Sequence, residues 1–289
     1  MSVFCVDVGG TFTKCGVVSS EGYMLSNKLF RTPPSYQQLL NQIEILFEES
    51  TAKNKKVICL STPCNYIDGK LRGESYVKYI IEKDIVGDVS KLLNVKAYIE
   101  NDGNCSGLGE YFSGAAIGSN NFVNIVIGSG IGGCSILEGK LLKGANFIAS
   151  DIGYMLLHPD LRKNGNNLSF GVQGGTKLLV EKAQKIDGNI NNAEAVLISE
   201  DIEIIKLRNN FFRYISLGII NVMYVLDPEF FLLSGGISED SNFIPLLEAE
   251  VDKVLLELSY QYKPQIKLSK HKNYSNLIGA AYLHYREMN

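Results

Sequence analysis

Apolar residues along this chain fall in short runs separated by glycine-rich joints and by stretches of helical period. The runs Val3–Val8, Cys15–Val18, Lys56–Ser61, Lys96–Glu100, Phe122–Ile127 and Glu229–Ser234 read as strands. Cys134–Leu137 and Lys140–Leu142 flank Glu138-Gly139, the signature of a hairpin. Between 35 and 50, Leu39, Leu40, Ile43, Leu46 and Phe47 recur on one helical face. Further helices are expected over 104–112, 176–185, 202–226, 244–258 and 275–288. Strands alternating with helices predict an α/β protein. A Gly/Ser/Asn-rich stretch, Ser113–Asn121, divides the chain near residue 114. The expected lobes are an N-terminal α/β lobe over 1–113, joined by the C-terminal helix 275–289, and a C-terminal α/β lobe over 114–274. Each lobe opens with a strand that runs into a glycine-rich turn.

A chain of 289 residues is too long for one small core and about right for two packed lobes. Its 28 Lys and Arg nearly balance 31 Asp and Glu, with no basic stripe, which argues against nucleic acid as a partner. An anionic ligand is therefore expected to be held by local geometry. The N-terminus has no signal-peptide pattern. The longest apolar stretch, Ile215–Leu226, is broken by Ser216 and Asn221 and falls short of the roughly 20 residues that span a bilayer. It is read as a buried helix, with no membrane partner. Cys5, Cys15, Cys59, Cys64, Cys105 and Cys134 form no C-x-x-C pair and sit in apolar runs, so buried free thiols and a cytoplasmic location are expected. His158, His271 and His284 are far apart and near no cysteine cluster, so no zinc site is expected.

Candidate chemistry lies at the joints. Asp7-Val8-Gly9-Gly10-Thr11 follows directly from an apolar strand. Paired glycines let backbone N–H groups approach a ligand, Thr11 adds a hydroxyl, and Asp7 can position magnesium. A plain two-glycine hairpin explains the same residues. Gly128-Ser129-Gly130-Ile131-Gly132-Gly133 follows a second strand and satisfies G-x-G-x-x-G, with Asp151 downstream. A dinucleotide fingerprint needs a helix to start there, and the hairpin pattern that follows argues against one. A third strand ends in Ser234-Gly235-Gly236-Ile237. Two phosphate-facing turns and a third for base and ribose would make a nucleotide site.

Glu100-Asn101-Asp102-Gly103-Asn104 joins a strand to a helix. An acid placed there can take the proton of an attacking hydroxyl, and Asn101 can orient the same substrate. Asn-Asp-Gly is also a common turn, and Asp102 can equally be a helix cap.

Taken together, these motifs, with Lys14 after the first and Leu277-Ile278-Gly279-Ala280-Ala281 near the end, resemble in order and spacing the ROK family of repressors, open reading frames and kinases. The resemblance spans nearly the whole chain. It implies an actin-like (ribonuclease H-like) pair of lobes with nucleotide and sugar in the cleft between them. By the same resemblance Asp102 is the catalytic base, and Asn101 and Asp102 hold the sugar. Asp7, Gly9, Gly10, Thr11 and Lys14 serve the phosphates of ATP and its Mg²⁺, joined by Gly128, Ser129, Gly130 and Gly132. Gly235 and Gly236 lie under the nucleoside. The implied reaction moves the γ-phosphoryl group of ATP to a hexose or N-acylhexosamine, at the 6-hydroxyl, and the family habit implies a homodimer.

Three departures narrow the acceptor. The family's E-x-G-H sugar element reads Asp151-Ile152-Gly153-Tyr154, which keeps Asp151 and Tyr154 as sugar-binding candidates. The cysteine-rich zinc element is missing, since 162–175 holds no cysteine or histidine. The sugar loop S-x-P-G has Cys64 after Pro63. The first two resemble a zinc-free branch, for which N-acetylmannosamine is the first expected acceptor and glucose or a β-glucoside the alternative. A ROK repressor is the remote alternative, and Asp7 leaves no room before it for a helix-turn-helix.

Overall fold

The structure is a computed structural model that describes residues 1–73, 75–163 and 166–288. The chain divides into two compact units, Met1–Gly118 with Asn273–Asn289, and Ser119–Lys272.

In unit 1, β1 (Ser2–Val8), β2 (Phe12–Ser19), β3 (Met24–Arg31), β4 (Val57–Thr62) and β7 (Lys96–Asn101) form one sheet, ordered β3-β2-β1-β4-β7. A small hairpin, β5 (Asn65–Ile67) with β6 (Lys70–Arg72), stands apart from it. β1 pairs in parallel with β4, and β4 with β7, so their carboxyl ends meet along one edge. Alternation along β1 supplies two cores: Phe4, Val6 and Val8 face a cluster with α1 (Tyr36–Glu49), while Val3 and Cys5 join Cys59 and the C-terminal helix. α1 starts where Ser35 Oγ accepts the Gln38 amide. α2 (Ile85–Leu93) is capped by Asp84, and α3 (Asp102–Ser113) follows β7 without a loop. The C-terminal helix, Ser275–Tyr285, packs on α3 at backbone distance: a Cβ on Gly279 would collide with the Cys105 carbonyl, and one on Gly109 with that of Ser275. The helix ends three residues short of the expected 288, and residue 289 lies outside the described residues.

Unit 2 carries a second sheet, ordered β10-β9-β8-β13-β14, from β8 (Phe122–Ile127), β9 (Ile131–Leu137), β10 (Lys140–Leu141), β13 (Phe230–Ser234) and β14 (Ile266–Leu268). β8 and β13 are parallel, and Phe231 and Leu233 share one core with Val123, Ile125, α7 (Ile202–Leu226) and α8 (Phe243–Leu258). α7 begins at an Asp201 cap and stops at Asp227 in the left-handed region. Shorter pieces complete the unit: the pair β11 (Arg162–Lys163) and β12 (Asn166–Asn167), α4 (Phe170–Gln173), α5 (Thr176–Gln184) and α6 (Ala193–Ile198). Of the stretch 162–175, residues 164 and 165 lie outside the described residues. Among the described residues no helix is long and apolar enough to cross a membrane. All six cysteines are buried free thiols.

Candidate active site

Each glycine-rich joint sits at the carboxyl end of a strand. In unit 1, Asp7 near the end of β1 is buried, and three side chains converge on its carboxylate. Ser61 Oγ on β4 donates to Oδ1 at 2.7 Å, and Asn276 Nδ2 on the C-terminal helix lies 3.3 Å from both oxygens. Lys14 Nζ, on β2 opposite Asp7, is 3.5 Å from Oδ2 and donates to the Asn273 carbonyl at 3.0 Å. The turn itself is fixed by Thr32, whose Oγ1 donates to the Gly9 carbonyl at 2.7 Å and whose amide donates to that of Thr11 at 3.0 Å. A Cβ on Gly9 would stand 2.5 Å from the Phe12 carbonyl, whereas Gly10 and Thr11 are exposed.

At the end of β7 the helix starts two residues earlier than the sequence pattern predicts, at Asp102. The reason is Asn101, whose Oδ1 accepts the amides of Gly103 at 2.9 Å and Asn104 at 3.3 Å and so caps α3. The capping role considered for Asp102 therefore belongs to its neighbour. Asn101 Oδ1 is committed to the cap, and its Nδ2 has no partner among the described residues. Asp102 Oδ1 accepts the Gly103 amide at 2.7 Å. Behind them, buried Glu100 accepts the Asn101 amide and Asn104 Nδ2, each at 3.0 Å. Cys64 lies buried beside this group: burial pushes its thiol up, the Ser75 hydroxyl opposes that, and the charge of Asp102 adds to it.

In unit 2 the turn after β8 is tighter than its sequence suggests. β9 resumes at Ile131, so Gly132 and Gly133 lie in a strand and only Gly128, Ser129 and Gly130 form the turn. A strand, not a helix, follows G-x-G-x-x-G, which removes the dinucleotide fingerprint. The Gly128 amide donates to the Gly130 carbonyl at 2.9 Å, and α5 docks its first residues on the loop, Thr176 N and Oγ1 both reaching the Gly128 carbonyl at 2.9 Å. The third joint pairs unlike glycines. Gly235 has φ of 101°, and a Cβ there would strike the Ile127 carbonyl, so only glycine fits. Gly236 has no atom within 4 Å of where its Cβ would stand, as does Gly132, leaving open space above the backbone.

Asp151 precedes a 3₁₀ turn, Ile152–Tyr154, yet its side chain makes no capping bond and has no partner among the described residues. Burial pushes its carboxyl above the ordinary carboxylate value. Tyr154 is 64 % exposed, which excludes a core-packing role. Sequence reasoning missed Ser61, Asn276, Thr32 and Thr176. Only the proximity of Ser61 to the Pro63 loop marked any of them.

The description "ROK family" matches residues 3–287. A β-glucoside kinase of Listeria monocytogenes is 25 % identical over 100 % of this chain and 99 % of its own length. The crystal structure of a ROK family protein from Streptococcus pneumoniae in complex with sucrose superposes with a TM-score of 0.88 at 25 % identity, covering 100 % of both chains. A ROK family glucokinase from Streptomyces griseus, solved with glucose and AMPPNP, has a TM-score of 0.81 at 20 % identity over 98 % of this chain and 99 % of that one.

Proposed function

The chain belongs to the ROK family and has its actin-like, two-lobed fold, and from that premise we propose that it is an ATP-dependent sugar kinase in which Asp102 is the general base. The carrying observation is the division of labour at the start of α3. Asn101 takes the N-cap, bonding the amides of Gly103 and Asn104, and the Asp102 carboxylate shares only the first of them. Its Oδ1 is oriented by the Gly103 amide, and a carboxylate fixed in that way accepts a proton without rearranging. In the reaction, Asp102 takes the proton of the acceptor hydroxyl as its oxygen bonds to the γ-phosphorus. The bond to the bridging oxygen of ADP breaks, and ADP leaves with the electron pair.

The remaining candidates have roles that agree with their placement. Exposed Gly10 and Thr11 of unit 1, and Ser129 and Gly130 of unit 2, offer backbone and hydroxyl donors to phosphate, while Gly128, its amide held by the Gly130 carbonyl, shapes the turn. The open space over Gly236 and the strained glycine before it suit a nucleoside lying on that backbone. Asp7 already accepts bonds from Ser61, Asn276 and Lys14, a donor set that fits holding a hydrated Mg²⁺ through its waters rather than directly. Mg²⁺ when bound would neutralise charge on the β- and γ-phosphates. Asp151, with no partner among the described residues, is the acceptor for a sugar hydroxyl. N-acetylmannosamine is the first acceptor proposed and glucose or a β-glucoside the second, phosphorylated at the 6-hydroxyl by a cytoplasmic homodimer.

A coupled ADP-release assay against a panel of hexoses, N-acylhexosamines and β-glucosides tests the reading. It should be run with excess magnesium after dialysis against a zinc-selective chelator. Transfer to at least one sugar, undiminished by chelation, is expected. Absence of sugar-dependent ADP release across the panel would contradict the kinase, and activity restored only by zinc would contradict the zinc-free branch.

A further inference from the structure

A cavity of about 280 Å³ lies in unit 2 where the segment after β10 meets the C-terminal end of α7. Met155, Val222 and Val225 represent its apolar lining, and Ser150, Asp151 and Asn221 are its polar members. Val225 is 79 % exposed, so the cavity opens to solvent. Two of the polar groups lack partners among the described residues: Ser150 Oγ, which is buried, and the Asp151 carboxyl. An unpaired hydroxyl and an unpaired acid against an apolar wall are costly unless something else pairs them. The loop that presents them is itself strained, with Phe147 at φ 58° and Ser150 at φ 68°, a region that non-glycine residues rarely adopt. Burial, which raises the Asp151 carboxyl, has the same origin.

Size selects what enters. Aliphatic-lined cavities of about 150 Å³ accept a benzene ring, and pockets for whole small molecules begin near 300 Å³. A cavity of about 280 Å³ is thus sized for a ring or alkyl group attached to something outside it. An acetyl group would leave most of it unfilled. In the kinase reading, on which this inference rests, Asp151 meets a sugar hydroxyl, and the same carboxylate lines this cavity. We propose that the cavity receives an apolar substituent of the acceptor sugar larger than acetyl, carried either as an N-acyl chain or as the aglycone of a β-glycoside.

The test compares kcat/KM along two series: mannosamines bearing acetyl, butanoyl and hexanoyl groups, and glucosides bearing β-methyl, butyl and hexyl groups. In at least one series the value should rise with chain length, by up to about fourfold per methylene. Val225→Asp, a change at an exposed position checked by its melting temperature, should flatten that rise by placing a charge on the wall. Phosphorylation of the parent sugars with flat or falling values in both series would overturn the proposal and leave the kinase standing. A rise that survives Val225→Asp would also overturn it, by locating the substituent elsewhere. No transfer to any member would overturn both.

Discussion

Asn276 Nδ2 stands 3.3 Å from each carboxylate oxygen of Asp7, joining residues 269 positions apart in sequence. The C-terminal helix therefore helps to aim the Asp7 carboxylate beside the Gly9-Gly10 turn. Hydrogen bonds to a charged group contribute about 1.5–3 kcal/mol, and these long ones belong at or below the lower end. Asn276→Ala is expected to lower stability by about 1 kcal/mol in urea unfolding. It should also raise KM for Mg-ATP several-fold while leaving KM for sugar unchanged. A stability loss with both KM values at wild type would reduce Asn276 to a structural role.

Gly236 stands in open space at the third joint, where a substitution need not disturb the fold. No atom lies within 4 Å of its Cβ position, so Gly236→Ala should melt within about 0.5 kcal/mol of wild type, as surface changes do. If a nucleoside rests there, KM for ATP should rise about tenfold or more, since a methyl would push it off the backbone. An unchanged ATP KM would remove Gly236 from the nucleotide site. Gly235→Ala is expected to destabilise strongly instead, because of its φ of 101°.

Burial raises the Asp151 carboxyl above the ordinary value of about 3.9. Between the unfolded and folded values, the folded chain holds a proton that the unfolded chain has lost. Stability therefore falls as pH rises through that window and levels off above it. Asp151→Asn cannot ionise and lacks this slope. The melting temperature of wild type minus that of the variant should fall as pH climbs from about 4, then become constant. A difference that does not change with pH would place the carboxylate in water. In kinetics, Asp151→Ala should raise the sugar KM and leave the ATP KM near wild type.

Much of this arrangement was legible in sequence wherever burial and periodicity coincide. Ile202–Leu226 announces itself as a helix through its helical pattern, and it forms over those residues. Phe122–Ile127 and Glu229–Ser234 read as strands for the same reason, and the strands observed, Phe122–Ile127 and Phe230–Ser234, are buried along almost every position. β3 was not legible, because Met24–Arg31 is largely exposed on a sheet edge and carries little apolar signal. α2 escaped because a nine-residue helix with only Ile85 and Val89 buried shows too little of its period. At the site, Asp7, Asn101 and Asp102 could be named from strand ends and turn chemistry. The cap on α3 decided between Asn101 and Asp102 only in three dimensions. Asn276 had no signal at all: its partner lies at the other end of the chain, and nothing local in Tyr274-Ser275-Asn276 points to it.

If Asp102 is the base, Asp102→Asn removes the proton acceptor and little else. The amide is nearly isosteric, and its oxygen can keep the Gly103 amide bond, so the helix start and the fold should be retained. General-base catalysis contributes about 10²–10⁴-fold. The measurement is kcat on the best acceptor sugar, with circular dichroism and sugar affinity taken on the same preparation. Native folding, sugar binding within a few-fold of wild type and kcat reduced by about 10² or more are expected. A folded Asp102→Asn that retains more than about a tenth of wild-type kcat would contradict Asp102 as the base.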